Sequence, residues 1–146
     1  MATFSRHVDV EWNGSIMEGK GQVKAGTGAF TLPVTFPARI GEPAGHTSPE
    51  ELVAAAHAAC YAMALNATVG RKGGSIAKTR VTATVTADKS DAGIKLTTSK
   101  LQVVAEGLQG IDKNDFAAVA KQAEGGCPIS NALRGSLTIE LETSVK

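Results

Sequence analysis

The sequence is poor in the residues with which proteins bind nucleic acids. Only six of its 146 residues are aromatic, and its formal net charge is +1. No run of lysine and arginine is interleaved with aromatic side chains, so neither a base-stacking surface nor a general electrostatic attraction is indicated. These absences exclude nucleic acid from the expected partners.

The chain also lacks a leader-like segment and an unbroken run of strongly hydrophobic residues. Its first residues, MATFSRH, hold neither an apolar core nor a small-residue cleavage site, so no signal peptide is predicted. The longest apolar stretch, residues 52–69, is rich in alanine and includes His57 and Asn66. Alanine contributes little to membrane insertion, so this stretch predicts a buried helix of a soluble protein. We therefore expect a cytoplasmic protein with no membrane partner.

Cysteine is equally scarce, because Cys60 and Cys127 are the only two. Without a secretory signal, a structural disulfide between them is not expected. In a reducing compartment such a pair is more often unrelated, catalytic or redox-sensing. Glycine-rich phosphate loops and the Gly-x-Ser-x-Gly elbow of hydrolases are absent as well.

Apolar residues make up 42% of the chain, enough for a single domain over residues 1–146. Runs of strands separated by a few helices predict an α+β fold. The first strand has one buried face and ends at a tight Asn13-Gly14 turn, while Pro33 and Pro37 place the third at an edge or in irregular structure. A loop over residues 38–47 and a hairpin turn over residues 89–93 complete the pattern. The predicted strands cover residues 8–12, 21–25, 30–36, 79–88 and 94–106, with a last one around Leu137, Ile139 and Leu141.

The longest predicted helix begins after Ser48, which can cap its open amides. Proline suits the first helical position, here Pro49, and Glu51 completes a capping box. The helix should run to about Val69 and stop near Gly70. It is apolar nearly all round, so it must be covered on several sides, which suggests that a second subunit covers one face. Two shorter helices are predicted over residues 111–124, with Asp112 as a cap, and over residues 129–134.

The two thiols have different predicted environments. Cys127 immediately precedes Pro128, at a helix cap where unpaired amides and the helix dipole favour a thiolate, although it can also be a small residue that ends a Gly-Gly turn. Cys60 lies within the apolar helix, where a free cysteine is usually an inert small hydrophobe. A reactive Cys60 needs a nearby cation, because burial raises the pKa of a thiol. Arg39, from the loop before the helix, suits this role better than His57, since it stays charged and offers several donors.

His57 leaves two further interpretations open. It lies three residues before Cys60, so a Cys–His nucleophilic pair is sterically possible, although such a histidine is more often packed or hydrogen-bonded. A metal site can be drawn from His57, Cys60, Cys127 and His46. The close-set ligand pairs of structural zinc sites are absent, however.

Three segments resemble the OsmC/Ohr family of peroxidases, and the resemblance covers almost the whole chain. They read TSPEEL at residues 47–52, AAHAAC at residues 55–60 and GGCPIS at residues 125–130. Their order and separation agree with the family, and their joint occurrence is specific. The histidine in AAHAAC, with Arg39 in a Phe-x-x-Arg stretch, is more similar to the OsmC branch. In the Ohr branch an aromatic residue commonly stands at the position of His57, which argues against His57 as an essential base.

The resemblance implies a fold and a chemistry. The fold is an intertwined homodimer, with antiparallel sheets around a long buried central helix. Cys60 attacks an organic hydroperoxide, or more weakly hydrogen peroxide, and becomes a sulfenic acid that Cys127 resolves to a disulfide. Arg39 and Glu50 form an ion pair that holds the site in its reactive geometry. A dithiol of the lipoyl type restores both thiols, and no metal, flavin or haem is required.

Helix geometry adds a constraint on this site. Glu50 and Cys60 are ten residues apart on one helix, so they differ by about 15 Å along its axis. Each site is therefore expected to take Cys60 and Cys127 from one subunit and Arg39 and Glu50 from the other. Two alternatives stay open: a non-enzymatic redox sensor switched by the same disulfide, and a structural binding domain with incidental cysteines.

Overall fold

The computed structural model describes all 146 residues, which form two compact units, Met1–Leu52 and Val53–Lys146. Each unit contains one three-stranded sheet, and the α+β class predicted from the sequence is confirmed. The single domain over residues 1–146 stays a prediction. The elements in chain order are β1 (Val8–Asn13), β2 (Lys20–Ala25), β3 (Thr31–Val34), α1 (Phe36–Ile40), α2 (Pro49–Arg71), β4 (Ser75–Ser90), β5 (Gly93–Gln109), α3 (Phe116–Gly125), α4 (Pro128–Leu133) and β6 (Thr138–Val145).

The sheet of the first unit is antiparallel, with β2 in the middle and β3, which contains Pro33, at an edge as predicted. The connection from β1 to β2 is longer than the tight Asn13-Gly14 turn that the sequence predicts. Residues 14–19 form it, with Gly14 at a φ of +94° and the Gly19 amide donating to the Ser15 carbonyl at 2.7 Å. The positive φ explains the glycine, because other residues rarely adopt it.

The prediction of one buried face on β1 is wrong for the single chain. All six residues of β1 are exposed, including Val8 and Val10. The alternation of apolar and polar residues is real, but no second layer of the first unit packs against the apolar face. Only Val23 and Ala25, both on β2, are buried hydrophobic residues in this unit.

The predicted loop over residues 38–47 begins within the short helix α1. Thr35 caps this helix, since its hydroxyl accepts a hydrogen bond from the Ala38 amide at 3.3 Å, and Pro37 stands in the first turn. Five residues are too few for a hydrophobic period to be recognised. Arg39 therefore lies on a helix and not on a loop.

The predicted start and end of α2 agree closely with the structure. The Glu51 amide donates to the Ser48 hydroxyl at 3.1 Å, as the first half of a capping box requires. The Glu51 carboxylate accepts instead from the Thr47 hydroxyl at 2.9 Å, so the second half of the box is replaced. The helix continues to Arg71, close to the predicted end near Gly70.

The helix α2 has one buried and one open side within the chain. By length and composition alone it could cross a membrane. Its side chains Tyr61, Leu65 and Val69 are nevertheless at most 1% exposed in the core of the second unit, as in a core helix. The other side carries small exposed residues around Met63, which is 71% exposed. The cover that the sequence predicts on several sides is present on one side only.

The second unit contains the long hairpin β4–β5 and the strand β6. The hairpin is longer than predicted, and its turn contains only Asp91 and Ala92. The strand β6 pairs with β5 in parallel, in contrast to the other strand pairs and to the antiparallel sheets that the family resemblance implies. A parallel neighbour needs a crossover, which α3 and α4 provide.

The two short helices complete the core of the second unit. The predicted helix over residues 111–124 is wrong in its first turn, because α3 begins only at Phe116. Asp112 caps a preceding turn instead, where its carboxylate accepts from the Asn114 amide at 2.7 Å. The Tyr61 hydroxyl donates to the Ala120 carbonyl at 2.9 Å and links α2 to α3. The core is formed by Tyr61, Leu65 and Val69 of α2, Leu101, Val103 and Ala105 of β5, Phe116, Val119, Ala120 and Ala123 of α3, and Cys127.

Candidate active site

The two cysteines lie together at the start of α4, in the second unit. Cys127 is the N-cap residue of α4, and its buried sulfur accepts a hydrogen bond from the Ser130 amide at 3.5 Å. The Cys60 thiol, on α2, lies close enough to Cys127 and to the Ile129 amide for both to shift its pKa, in opposite directions. Both cysteines are free thiols. At this helix start, where amides have no partners inside the helix, the Ser130 amide donates to the Cys127 sulfur and the Ile129 amide lowers the pKa of Cys60.

Burial is the strongest influence on Cys60 and raises the pKa of its thiol. Cys127 raises this pKa further, whereas the Ile129 amide lowers it. The pKa of the Cys60 thiol in this chain is therefore above its ordinary value. This agrees with the expectation that a reactive Cys60 needs a cation, which stabilises a thiolate.

An open groove of about 570 Å³ reaches Cys60 but not Cys127. Apolar residues of α2 form much of its lining, and the rest includes the polar side chains of Thr68 and Arg71. The apolar residues include Ala56, Ala59 and Met63. Cys127 is fully buried, whereas Cys60 is partly exposed. A small apolar molecule can therefore approach Cys60 through the groove, whereas the buried Cys127 is not accessible from it.

His57 is fully buried and hydrogen-bonded through both of its ring nitrogens. Its Nδ1 lies 2.6 Å from the Ser99 hydroxyl, and its Nε2 lies 2.8 Å from the Ser130 hydroxyl. Burial lowers the pKa of His57, and Glu124 raises it in part, so the neutral ring is favoured. Because both ring nitrogens are hydrogen-bonded to serines, neither is available to Cys60. The Cys–His pair considered from the sequence is therefore not formed.

The metal site that the sequence suggested as an alternative is not formed either. No group of three or more His, Cys, Asp or Glu side chains is arranged to hold a metal ion. His46 belongs to the first unit, where its Nδ1 lies 3.2 Å from the Pro43 carbonyl oxygen. The second unit contains the other three residues that the sequence suggested, but the two nitrogens of His57 already have serine partners.

Ser99 was not among the candidate residues from the sequence. A signal for it exists, because Ser99 precedes Leu101, Val103 and Ala105 at a spacing of two. Alternate residues of a strand share a face, so this serine had to point into the core with them. A buried polar group needs a hydrogen-bond partner, and in the structure that partner is His57.

Arg39 and Glu50 form an ion pair within the first unit. The Arg39 Nη2 lies 2.7 Å from the Glu50 Oε1, and its Nε lies 3.1 Å from both carboxylate oxygens. The hydrogen bond from Arg39 is the main reason why the pKa of Glu50 is lowered. The carboxylate fixes one edge of the guanidinium, and Nη1 makes no hydrogen bond within the chain. The pair thus holds a charged donor group in one orientation.

The same arginine lies at an open apolar groove of the first unit, with a volume of about 400 Å³. Its lining combines the exposed face of β1 with residues of α1 and the first turn of α2. It includes Val8, Val10, Trp12, Phe36, Arg39 and Leu52. A fixed cation is therefore set at the side of a surface that is otherwise apolar.

Comparison with known proteins identifies relatives across nearly the whole chain. Peroxiredoxin OsmC of Escherichia coli (strain K12) is 36% identical over 142 residues, which cover 96% of this chain and 97% of that protein. Organic hydroperoxide resistance protein OhrA of Bacillus subtilis (strain 168) is 39% identical over 100 residues, or 67% of each chain.

Solved structures that are similar to this chain also include organic hydroperoxide resistance proteins. The organic hydroperoxide resistance protein OsmC from Legionella pneumophila matches with a TM-score of 0.77 and 27% identity, over 99% of both chains. OhrB of Bacillus subtilis matches with a TM-score of 0.72 and 25% identity, over 94% of this chain and 98% of that one. The family model described as OsmC-like protein matches residues 41–142. The chain belongs to the OsmC-like protein family.

Proposed function

We propose that this protein is a thiol-dependent peroxidase that reduces organic hydroperoxides, and hydrogen peroxide more weakly. The observation that carries the proposal is the pair of sulfurs at the start of α4, of which an apolar groove reaches only Cys60. Relatives named as a peroxiredoxin and as an organic hydroperoxide resistance protein support the same reaction class. We place the protein in the cytoplasm, where the thiols can be kept reduced.

In the first step, the Cys60 thiolate attacks the distal oxygen of the hydroperoxide. The O–O bond breaks, the alkoxide takes up a proton and leaves as an alcohol, and Cys60 retains the other oxygen as a sulfenic acid. The sulfur loses two electrons, and the peroxide gains them. The apolar lining around Ala59 and Met63 suits the alkyl part of an organic hydroperoxide.

In the second step, the Cys127 sulfur attacks the sulfenic acid of Cys60. An S–S bond forms and water leaves. An external dithiol, which we propose to be of the lipoyl type, then exchanges with the disulfide and restores both thiols. This cycle balances without a metal, flavin or haem.

The cation that Cys60 needs is proposed to come from a second copy of the chain. Glu50 and Cys60 are ten residues apart on α2, which corresponds to about 15 Å along the axis. Two apolar surfaces are open in the single chain, the groove beside Arg39 and the exposed side of α2 around Met63. Exposed apolar patches often mark protein interfaces. A homodimer that covers both would bring Arg39 and Glu50 of one subunit to Cys60 and Cys127 of the other.

A steady-state assay of cumene hydroperoxide with dihydrolipoamide tests the function. The wild-type protein is expected to consume many equivalents of peroxide, and Cys60→Ser none. Cys127→Ser, the matched variant, should react once and leave a sulfenic acid that a dimedone-type reagent traps. Turnover by Cys60→Ser would reverse the two roles. Consumption of a single equivalent by the wild type would instead support a redox sensor.

A further inference from the structure

One buried hydrogen-bonded chain in the second unit has no part in the two steps above. It runs from Ser99 on β5 through His57 on α2 to Ser130 on α4, and all three residues are 0% exposed. The three residues therefore join the sheet, the long helix and the helix of Cys127 at one point. The two distances, 2.6 and 2.8 Å, are those of well-formed hydrogen bonds.

Ser130 connects this chain to the sulfur of Cys127. Its hydroxyl is bonded to the His57 ring, and its own amide donates to the Cys127 sulfur at 3.5 Å. His57 in turn lies one helical turn before Cys60 on α2. The hydrogen bond between His57 and Ser130 therefore links the residue whose amide donates to Cys127 with α2, the helix that contains Cys60.

The buried position of this chain favours a neutral imidazole. Neutral histidine has one donor and one acceptor nitrogen, and a serine hydroxyl can act in either role. Burial lowers the pKa of His57 and so favours this neutral form. A protonated ring could donate to both hydroxyls, but it would place a charge in the core, which burial opposes. The link is therefore uncharged, short and fixed by packing, as a positioning element requires.

We propose that His57 is a positioning residue for the resolving step, which holds α4 so that Cys127 stays beside the oxidised Cys60. This inference rests on the proposed function. Ring closure to a disulfide depends on how often the two sulfurs meet in the right geometry. Loss of the bond between His57 and Ser130 frees the first turn of α4 and slows closure, while the attack of Cys60 on peroxide does not need this bond.

Substitution of His57 by glutamine or asparagine tests the two hydrogen bonds of the link separately. In His57→Gln the terminal amide can reach the position of Nε2 and keep the bond to Ser130. In His57→Asn the shorter side chain can reach only the position of Nδ1 and keeps the bond to Ser99. We expect His57→Asn to close the disulfide about tenfold more slowly, a factor equal to about 1.4 kcal/mol. His57→Gln should close within about threefold of wild type.

The test is a single-turnover reaction with cumene hydroperoxide, quenched at intervals with a dimedone-type reagent and read by intact-protein mass. It separates the oxidation of Cys60 from the formation of the disulfide. Oxidation should proceed at the wild-type rate in both variants, and the trapped sulfenic acid should persist longer in His57→Asn. Closure at the wild-type rate in His57→Asn would overturn the inference, and so would equal slowing of closure in both variants.

Two further variants keep the test decisive if His57→Asn folds poorly. Ser130→Ala removes the hydroxyl but keeps the amide that donates to Cys127, and it should slow closure as His57→Asn does. Tyr61→Phe removes another buried hydrogen bond of the same core, to Ala120, and should lower the melting temperature without slowing closure. Slow closure in Tyr61→Phe would assign the effect to general loosening of the core. Failure of the wild type to form a sulfenic acid would refute the proposed function itself.

Discussion

The two units of the chain differ in how much apolar surface each one buries. In the second unit, Leu65, Leu101 and Phe116 are at most 1% exposed and belong to one continuous core. In the first unit the valines of β1 are more than half exposed. Its only buried apolar residues are Val23 and Ala25 of β2. The second unit therefore has a core of its own, whereas the first leaves apolar surface that a partner can cover.

Their chemistry differs in a complementary way. The second unit holds the two sulfurs, and burial there raises the pKa of the Cys60 thiol. The first unit holds Arg39 in a bidentate pair with Glu50, beside an apolar groove. The first unit has a fixed cation but no thiol, and in the second unit no cation contributes to the pKa of the Cys60 thiol. This comparison underlies the proposal of a site shared between two copies.

The largest effect is expected from a cavity in the core of the second unit. Leu101→Ala should lower the free energy of unfolding by about 2–5 kcal/mol, as for other buried leucines. Chemical denaturation followed by circular dichroism measures it. A loss of less than about 1 kcal/mol would contradict the distinction between the units, since losses of that size are typical of exposed positions.

The complementary change in the first unit should affect association instead. Val10→Asp places a charge on the exposed face of β1 and should convert dimers to monomers, because it puts an uncompensated charge at the proposed interface. Sedimentation velocity over a range of protein concentrations reports this shift. A variant that sediments like the wild type would remove this groove from the interface.

The next effect concerns the cation. Arg39→Ala should slow the reaction of Cys60 with peroxide by about 100-fold and raise the pKa of the Cys60 thiol further, because a charged donor is lost. The rate of Cys60 alkylation as a function of pH measures the pKa directly. Arg80→Ala, which removes an exposed arginine of β4, serves as the matched control. An unchanged pH profile in Arg39→Ala would remove Arg39 from the site.

The smallest effect is a pH dependence of stability due to His57. Its pKa is lowered in the folded protein, so below about pH 6.5 the unfolded chain binds the proton first. The free energy of unfolding should therefore fall as the pH is lowered below about 6.5, by at most about 1.4 kcal/mol per pH unit. His57→Gln should reduce this slope. Equal slopes in the two proteins would show that the histidine does not contribute.

The parts of the fold that follow local rules were predictable from the sequence. The start of α2 followed from Ser48 and Pro49, and the start of α4 followed from Pro128, because caps and proline act within one turn. Those predictions agree with the structure within one residue. The long β4–β5 hairpin was recognisable for a similar reason, since its two strands flank a short turn.

The errors arise where distant residues decide the outcome. The exposure of β1 depends on which layer covers it, and the alternation of Val8 and Val10 with charged residues carries no information about that. The bond between Ser99 and His57 joins residues 42 positions apart, so neither residue alone indicates its partner. The direction of β6 depends on the crossover through α3 and α4. The roles of the four candidate site residues stay predictions.

The shared site can be tested most directly with a mixed dimer that carries Cys60→Ser in one subunit and Arg39→Ala in the other. Coexpression with two different affinity tags and sequential purification isolates this species. If each site takes Cys60 from one copy and Arg39 from the other, one site of the mixed dimer carries both substitutions and the other site is intact. The mixed dimer should then recover up to half of the wild-type peroxidase activity, although both mutant homodimers are nearly inactive. Activity no higher than the mean of the two mutant homodimers would contradict the shared site.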